Sequence, residues 1–296
     1  MKTQRELINQ KDWDILLILD ACRYDYFKDN CKYEDLDKLG KLQKVSSPAS
    51  WTLGWMIETF KDGADFKDTI FISANPDVSS RGKEEKILDW QKRRQYGNID
   101  FQAKDYFDLI IDVWDFGYDK EIDGVHPSTM INTLNKSLEN NPKSKFICKF
   151  NQIHDPYLYF INKGHKVAGS NNFIDRNLTD RKGINFKRFL NIIFSDETIW
   201  RTRQLLRIMP KSGMAALWMK YGKQEIVKAY QEDLRLMLSI FSQFINEHPE
   251  KKIVITADHG ELLGEYKRYG HNTDKRYPEL VEIPWIEFPR ICDVNE

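Results

Sequence analysis

The 296-residue chain carries 45 basic and 45 acidic side chains, so its formal charge is zero and the basic excess of a general nucleic-acid binder is missing. No apolar run approaches the ~20 residues that cross a bilayer, and the first residues, MKTQRELINQKDWD, contain no apolar signal core. The length suits one large α/β domain or two modest ones. The four cysteines, Cys22, Cys31, Cys148 and Cys292, form no Cys-x-x-Cys pair and read as reduced thiols. A cytoplasmic protein is therefore expected. The basic stretches 86–94 and 201–211 read as solvated helix faces.

In chain order, short and nearly continuous apolar runs mark strands at 14–20 (DILLILD), 69–75 (TIFISAN), 107–113 (FDLIIDV), 145–151 (KFICKFN), 252–258 (KIVITAD) and 282–288 (EIPWIEF), with a shorter one near LQKVS. Continuous runs imply strands covered on both faces. Helices lie between them. One is expected to start at Ser128 as its cap. Another, over 223–248, places Ile226, Tyr230, Leu234, Met237, Phe241 and Phe244 on one stripe. This alternation predicts an α/β fold with a mainly parallel central sheet and helices on both faces. The chain is expected to form a single domain over 1–296. Residues 160–222, rich in Asn, Lys and Arg and without a clear strand, are expected to form a helical cap or insertion, or a helical packing layer.

Reactive groups in such folds collect at the C-terminal edge of the sheet. Asp20 ends the first strand, Asp258 and His259 end a late one, and His154 follows the strand at 145–151. Asp20 suits Mg, Mn, Ca or Zn, or caps the next helix. Asp258 and His259 can reach one ion where the chain leaves the strand, and Gly260 gives room for that turn. Glu261 is expected to support the turn that follows. Thr52 stands near a helix N-terminus and is a nucleophile candidate, unless it or Ser50 is simply the cap. His154 and His271 are candidates for a second metal or for contacts to an anionic substrate. An acid to complete such a second site is not evident; Asp155 or another carboxylate would have to serve.

Together these segments resemble the sulfatase-like branch of the alkaline phosphatase superfamily, and within it a group of archaeal sulfatase-like proteins. DILLILDACRYD is similar to its first metal-binding strand, SPASWT to its nucleophile loop, and NQIHDPY to its central histidine segment. VITADHGELLGE is similar to its Asp-His metal motif, and YGHN with PELVEIPWIEF to its terminal histidine and following strand. The resemblance implies an alkaline-phosphatase-like core. It also implies that Asp20, Thr52, Asp258 and His259 hold one divalent metal, with Thr52 as the nucleophile. His154 and His271 would face the substrate or hold a second ion. Arg23 matches a common arginine of the family.

Two departures shape the expected reaction. Sulfatases carry a Cys or Ser that becomes formylglycine in a Cys/Ser-x-Pro-x-Arg pattern. The matching stretch here is Thr52-Leu53-Gly54-Trp55-Met56, and the acid that usually follows the first Asp is replaced by Ala21. A threonine nucleophile implies a metal-dependent hydrolase or transferase of phosphate mono- or diesters. The alternatives are a sulfatase without formylglycine and a degenerate, non-catalytic binder of anionic glycan or lipid head groups. The expected partner is an anionic small-molecule, glycan or lipid head-group ester.

Overall fold

The computed structural model describes residues 1–81, 101–164, 194–206, 213–271 and 275–290. The basic stretch 86–94, Cys292, and residues 165–193 and 207–212 of the expected insertion lie outside these. Seven strands form the main sheet: β1 Ile15–Leu19, β2 Lys41–Ser46, β3 Phe66–Ser73, β4 Phe107–Asp112, β5 Lys145–Lys149, β6 Ile253–Ala257 and β7 Glu282–Phe288. Their spatial order is β2-β7-β6-β1-β5-β3-β4. The ladders β6-β1, β1-β5, β5-β3 and β3-β4 are parallel. β7 runs antiparallel to both of its neighbours. The fold is therefore the expected α/β class, with helices packed around a mostly parallel sheet.

Burial follows strand position. Every residue of β1 and β6 is buried, as their uninterrupted apolar sequences require for central strands covered on both faces. The edge strands β2 and β4 leave several residues exposed. The stripe from Ile226 to Phe244 is buried in the core, in a helix that spans Gly213–Glu247 and breaks at Gly222, where φ is 80°. The helix after residue 125 starts two residues earlier than expected. Pro127 occupies its first turn, and His126 rather than Ser128 is the cap, its ring accepting from the Ser128 N–H. Proline at that position has no N–H to satisfy and a φ already suited to a helix.

The order of the sheet sets the site. β1 lies between β5 and β6, and all three run the same way. Their C-terminal ends therefore open side by side, carrying Asp20, the Lys149–His154 segment and Asp258–His259.

Candidate metal centre and active site

Asp20, Asp258 and His259 converge at these strand ends, each offering a ligand atom within 4.8 Å of the others. His259 Nε2 lies 3.6 Å from Asp20 Oδ1 and 3.5 Å from Asp258 Oδ2. Ligands ~2.0–2.2 Å from a tetrahedral ion are separated by about this much. The His259 ring is fully buried. Its Nδ1 lies 2.9 Å from the Gly260 carbonyl, which can only accept, so Nδ1 carries the proton. That leaves Nε2 with its lone pair aimed into the cluster and no hydrogen-bond partner. Burial and the neighbouring His271 lower the His259 pKa despite Asp258 and Asp20, which keeps the ring neutral. A neutral imidazole with a fixed tautomer and an unused buried nitrogen is the state of a metal ligand.

Asp258 is held from several sides. Its Oδ1 accepts from the Ala21 and His259 N–H groups at 3.2 and 2.9 Å. Its Oδ2 accepts from the Thr52 hydroxyl at 2.8 Å. Burial alone would raise its carboxyl, but on acidification the His259 ring takes up a proton first, and that charge with Lys149 and Thr52 outweighs burial and holds the carboxyl well below the usual carboxylate range. Thr52 is the first residue of the helix Thr52–Phe60. The cap position belongs to Trp51, which makes no side-chain cap bond, so neither Ser50 nor Thr52 is the cap. Asp20 does not cap the next helix either; that position is Arg23.

Two residues escaped the sequence reading. Glu261 does not merely support a turn. It joins His154 and His271 in a second cluster whose ligand atoms also lie within 4.8 Å of one another. The missing acid is thus Glu261, not Asp155, which pairs with the His154 ring at 3.1 Å but stands outside the cluster. Glu261 Oε1 is buried without a hydrogen-bond partner, and His271 Nδ1 is 3.4 Å from it. Burial opposes a charge on His154, yet Asp155, Glu261 and Asp20 outweigh it and push the ring up to about 9. The pocket therefore favours positive charge. The two clusters adjoin, with the His259 and His271 rings 4.3 Å apart between centroids.

The other missed residue is Lys149. It ends β5, is fully buried, and its ammonium lies 2.7 Å from Asp20 Oδ2 and 3.0 Å from Asp258 Oδ2. The signal was a lysine inside an otherwise apolar run, KFICKFN, since a buried ammonium requires a carboxylate partner.

Supporting contacts fix the two turns. Ala21 adopts a left-handed conformation, φ 62°. The Tyr230 hydroxyl donates to the Ala21 carbonyl at 2.8 Å and accepts from the Arg23 N–H at 2.9 Å. Tyr230→Phe leaves both backbone groups buried and unpaired. A stability loss of about 1–3 kcal/mol and weaker binding of divalent ions are expected, measured by denaturant unfolding and calorimetry. The Arg23 guanidinium turns to Asp25, Glu265 and the Glu261 carbonyl, and ties the Asp20 turn to the Glu261 turn. The described part of the 160–222 segment reaches His271 through its neighbour. Tyr269 packs with Trp200 and Met219, and its hydroxyl accepts from Trp218 at 2.8 Å. Its N–H donates to Asp196 in the helix Asp196–Leu205 at 2.9 Å.

No family model matches the chain, and no curated protein matches it by sequence. Solved structures do. The soluble domain of lipooligosaccharide phosphoethanolamine transferase A from Neisseria meningitidis superposes with a TM-score of 0.53 at 11% identity, covering 93% of this chain and 75% of that one. The C-terminal periplasmic domain of phosphoethanolamine transferase EptC from Campylobacter jejuni gives 0.52 at 13% identity, covering 95% and 80%. The chain has the alkaline-phosphatase-like fold that its motifs led one to expect. Among the described residues, no helix is long and apolar enough to cross a membrane.

Proposed function

We propose that the chain is a metal-dependent phosphoesterase or phosphotransferase with Thr52 as its nucleophile, acting on the phosphate ester of a lipid or glycan head group or a related small anion. The observation that carries this reading is the unpartnered, neutral Nε2 of His259 beside Asp20 Oδ1 and Asp258 Oδ2, with the Thr52 hydroxyl on the same Asp258 oxygen. Asp20, Asp258, His259 and Thr52 would hold one divalent ion, and His154, Glu261 and His271 a second. Bound there, such ions supply Lewis acidity that lowers the pKa of a neighbouring hydroxyl and offsets the charge of a phosphoryl group.

The protein's own contribution is placement. Thr52 begins a nine-residue helix whose first N–H groups and positive end favour an anion beside its hydroxyl. Its oxygen forms the bond to phosphorus as the bond to the leaving oxygen breaks, and the hydroxyl proton ends on the released alcohol. Water or an acceptor alcohol then reverses the exchange at phospho-Thr52. Asp258, held ionised by its two N–H donors and Lys149, orients the Thr52 hydroxyl. His154, Glu261 and His271 line the side next to this centre, so that an ion held there would face the anionic ester. Support for a phosphate rather than a sulfate ester comes from Thr52 itself, which cannot become formylglycine. The fold shared with two phosphoethanolamine transferases agrees.

Side-by-side assays with a phosphodiester, a phosphate monoester and an aryl sulfate test the reading. Turnover of a phosphate ester with phosphate trapped on Thr52 is expected. Turnover of the sulfate alone would overturn it. Elemental analysis is expected to find two divalent ions per chain, falling to one in Glu261→Gln.

A further inference from the structure

We propose that Lys149 is a built-in counter-cation of the metal centre, a positioning residue that keeps the ion-free centre folded and moderates its hold on the divalent ion. The inference rests on reading Asp20, Asp258 and His259 as that centre. Its own evidence is the division of the carboxylate oxygens. Asp20 turns Oδ2 to the ammonium, at 2.7 Å, and Oδ1 toward His259 Nε2. Asp258 Oδ2 meets the ammonium at 3.0 Å, the Thr52 hydroxyl at 2.8 Å and faces His259 Nε2 at 3.5 Å. The ammonium therefore lies on the ligand oxygens without touching the histidine nitrogen, and an ion entering between Asp20 Oδ1, Asp258 Oδ2 and His259 shares Asp258 Oδ2 with it.

The burial of this group shows why it matters. Lys149 and Asp258 are fully buried, and Asp20 nearly so. Two neighbouring carboxylates this deep repel one another and lack water to screen them, so an ion-free centre without Lys149 is strongly disfavoured. The Lys149 ammonium sits between the two carboxylates, 2.7 Å from Asp20 Oδ2 and 3.0 Å from Asp258 Oδ2, and offsets one of their charges. Two carboxylates and one ammonium leave a single negative charge, and a divalent ion turns that into a single positive one. Without the lysine the loaded centre is neutral and the empty one doubly negative. Lys149 thus trades affinity for the ion against a charged centre suited to an anionic ester, and against a stable ion-free state.

The test is calorimetric titration of Mn²⁺ into ion-free protein, with melting temperatures recorded in parallel. A Glu261→Gln background leaves the Asp20–Asp258–His259 centre as the reporting site. Lys149→Met is expected to bind Mn²⁺ at least about tenfold more tightly, to melt lower than its parent without ion, and to regain most of that loss at saturation. Lys149→Gln, which keeps a hydrogen-bond donor, is the second variant should the methionine protein not fold without ion, and its affinity is expected to shift the same way. Unchanged or weaker binding in a folded variant, with normal binding by the parent, overturns the inference and leaves the metal reading intact. Binding by neither protein overturns both.

Discussion

Thr52→Ala is expected to lower turnover of a phosphate ester on the order of a thousandfold or more and to abolish labelling of the protein by substrate phosphate. The stability cost is small by comparison. The Thr52 hydroxyl makes one hydrogen bond, to Asp258 Oδ2 at 2.8 Å, and losing such a bond costs about 1 kcal/mol. Asp258 keeps its bonds from the Ala21 and His259 N–H groups and its pairing with Lys149. The variant should therefore remain folded while inactive, a combination that unfolding cannot mimic. Thr52→Ser retains the hydroxyl and should retain measurable turnover. The covalent adduct is read by intact mass, and the rate by product release. An unchanged turnover number in pure Thr52→Ala protein would remove this residue from the chemistry.

The second large effect is expected at Gly260. Its N–H donates to the Leu280 carbonyl at 2.8 Å. A Cβ built there would stand 2.0 Å from the Glu279 carbonyl oxygen, with the Glu279 carbonyl carbon at 3.1 Å. The obstruction is backbone, which cannot swing aside as a side chain would, so the whole turn must move. Gly260→Ala is expected to destabilise the protein by roughly 3 kcal/mol or more, lowering the melting temperature by about 5 °C. Because Gly260 separates His259 from Glu261, the same shift displaces a ligand of each cluster. Ion binding should fall in both, as elemental analysis would show. Wild-type melting with a full complement of ions would contradict the rigid packing assigned to this turn.

Much of this arrangement was legible in the sequence because its signals are local. Uninterrupted apolar runs gave the central strands, and the polar residues closing them, Asp20 and Asp258–His259, gave the sheet edge where the centre forms. The 3.6-residue stripe from Ile226 to Phe244 gave the long helix. What escaped depends on contacts distant in the chain. Lys149 looked like one polar interruption in a strand, and only the pairing of β5 with β1, which in turn pairs with β6, brings it to two carboxylates. Glu261 looked like turn support because nothing near it in sequence reports that His154, more than a hundred residues away, folds against it. The helix cap at His126 was missed because histidine is a rare cap and Ser128 a common one. The nucleophile loop was the least specific motif, and the placement of Thr52 on Asp258 emerges only from the fold.

Anomalous diffraction from crystals grown with Mn²⁺ or Zn²⁺ tests the core of the account most directly. It predicts a peak about 2.0–2.3 Å from Asp20 Oδ1, Asp258 Oδ2 and His259 Nε2, with the Thr52 hydroxyl beside it. Lys149 alone bridging Asp20 and Asp258, with no anomalous signal near His259, would contradict it.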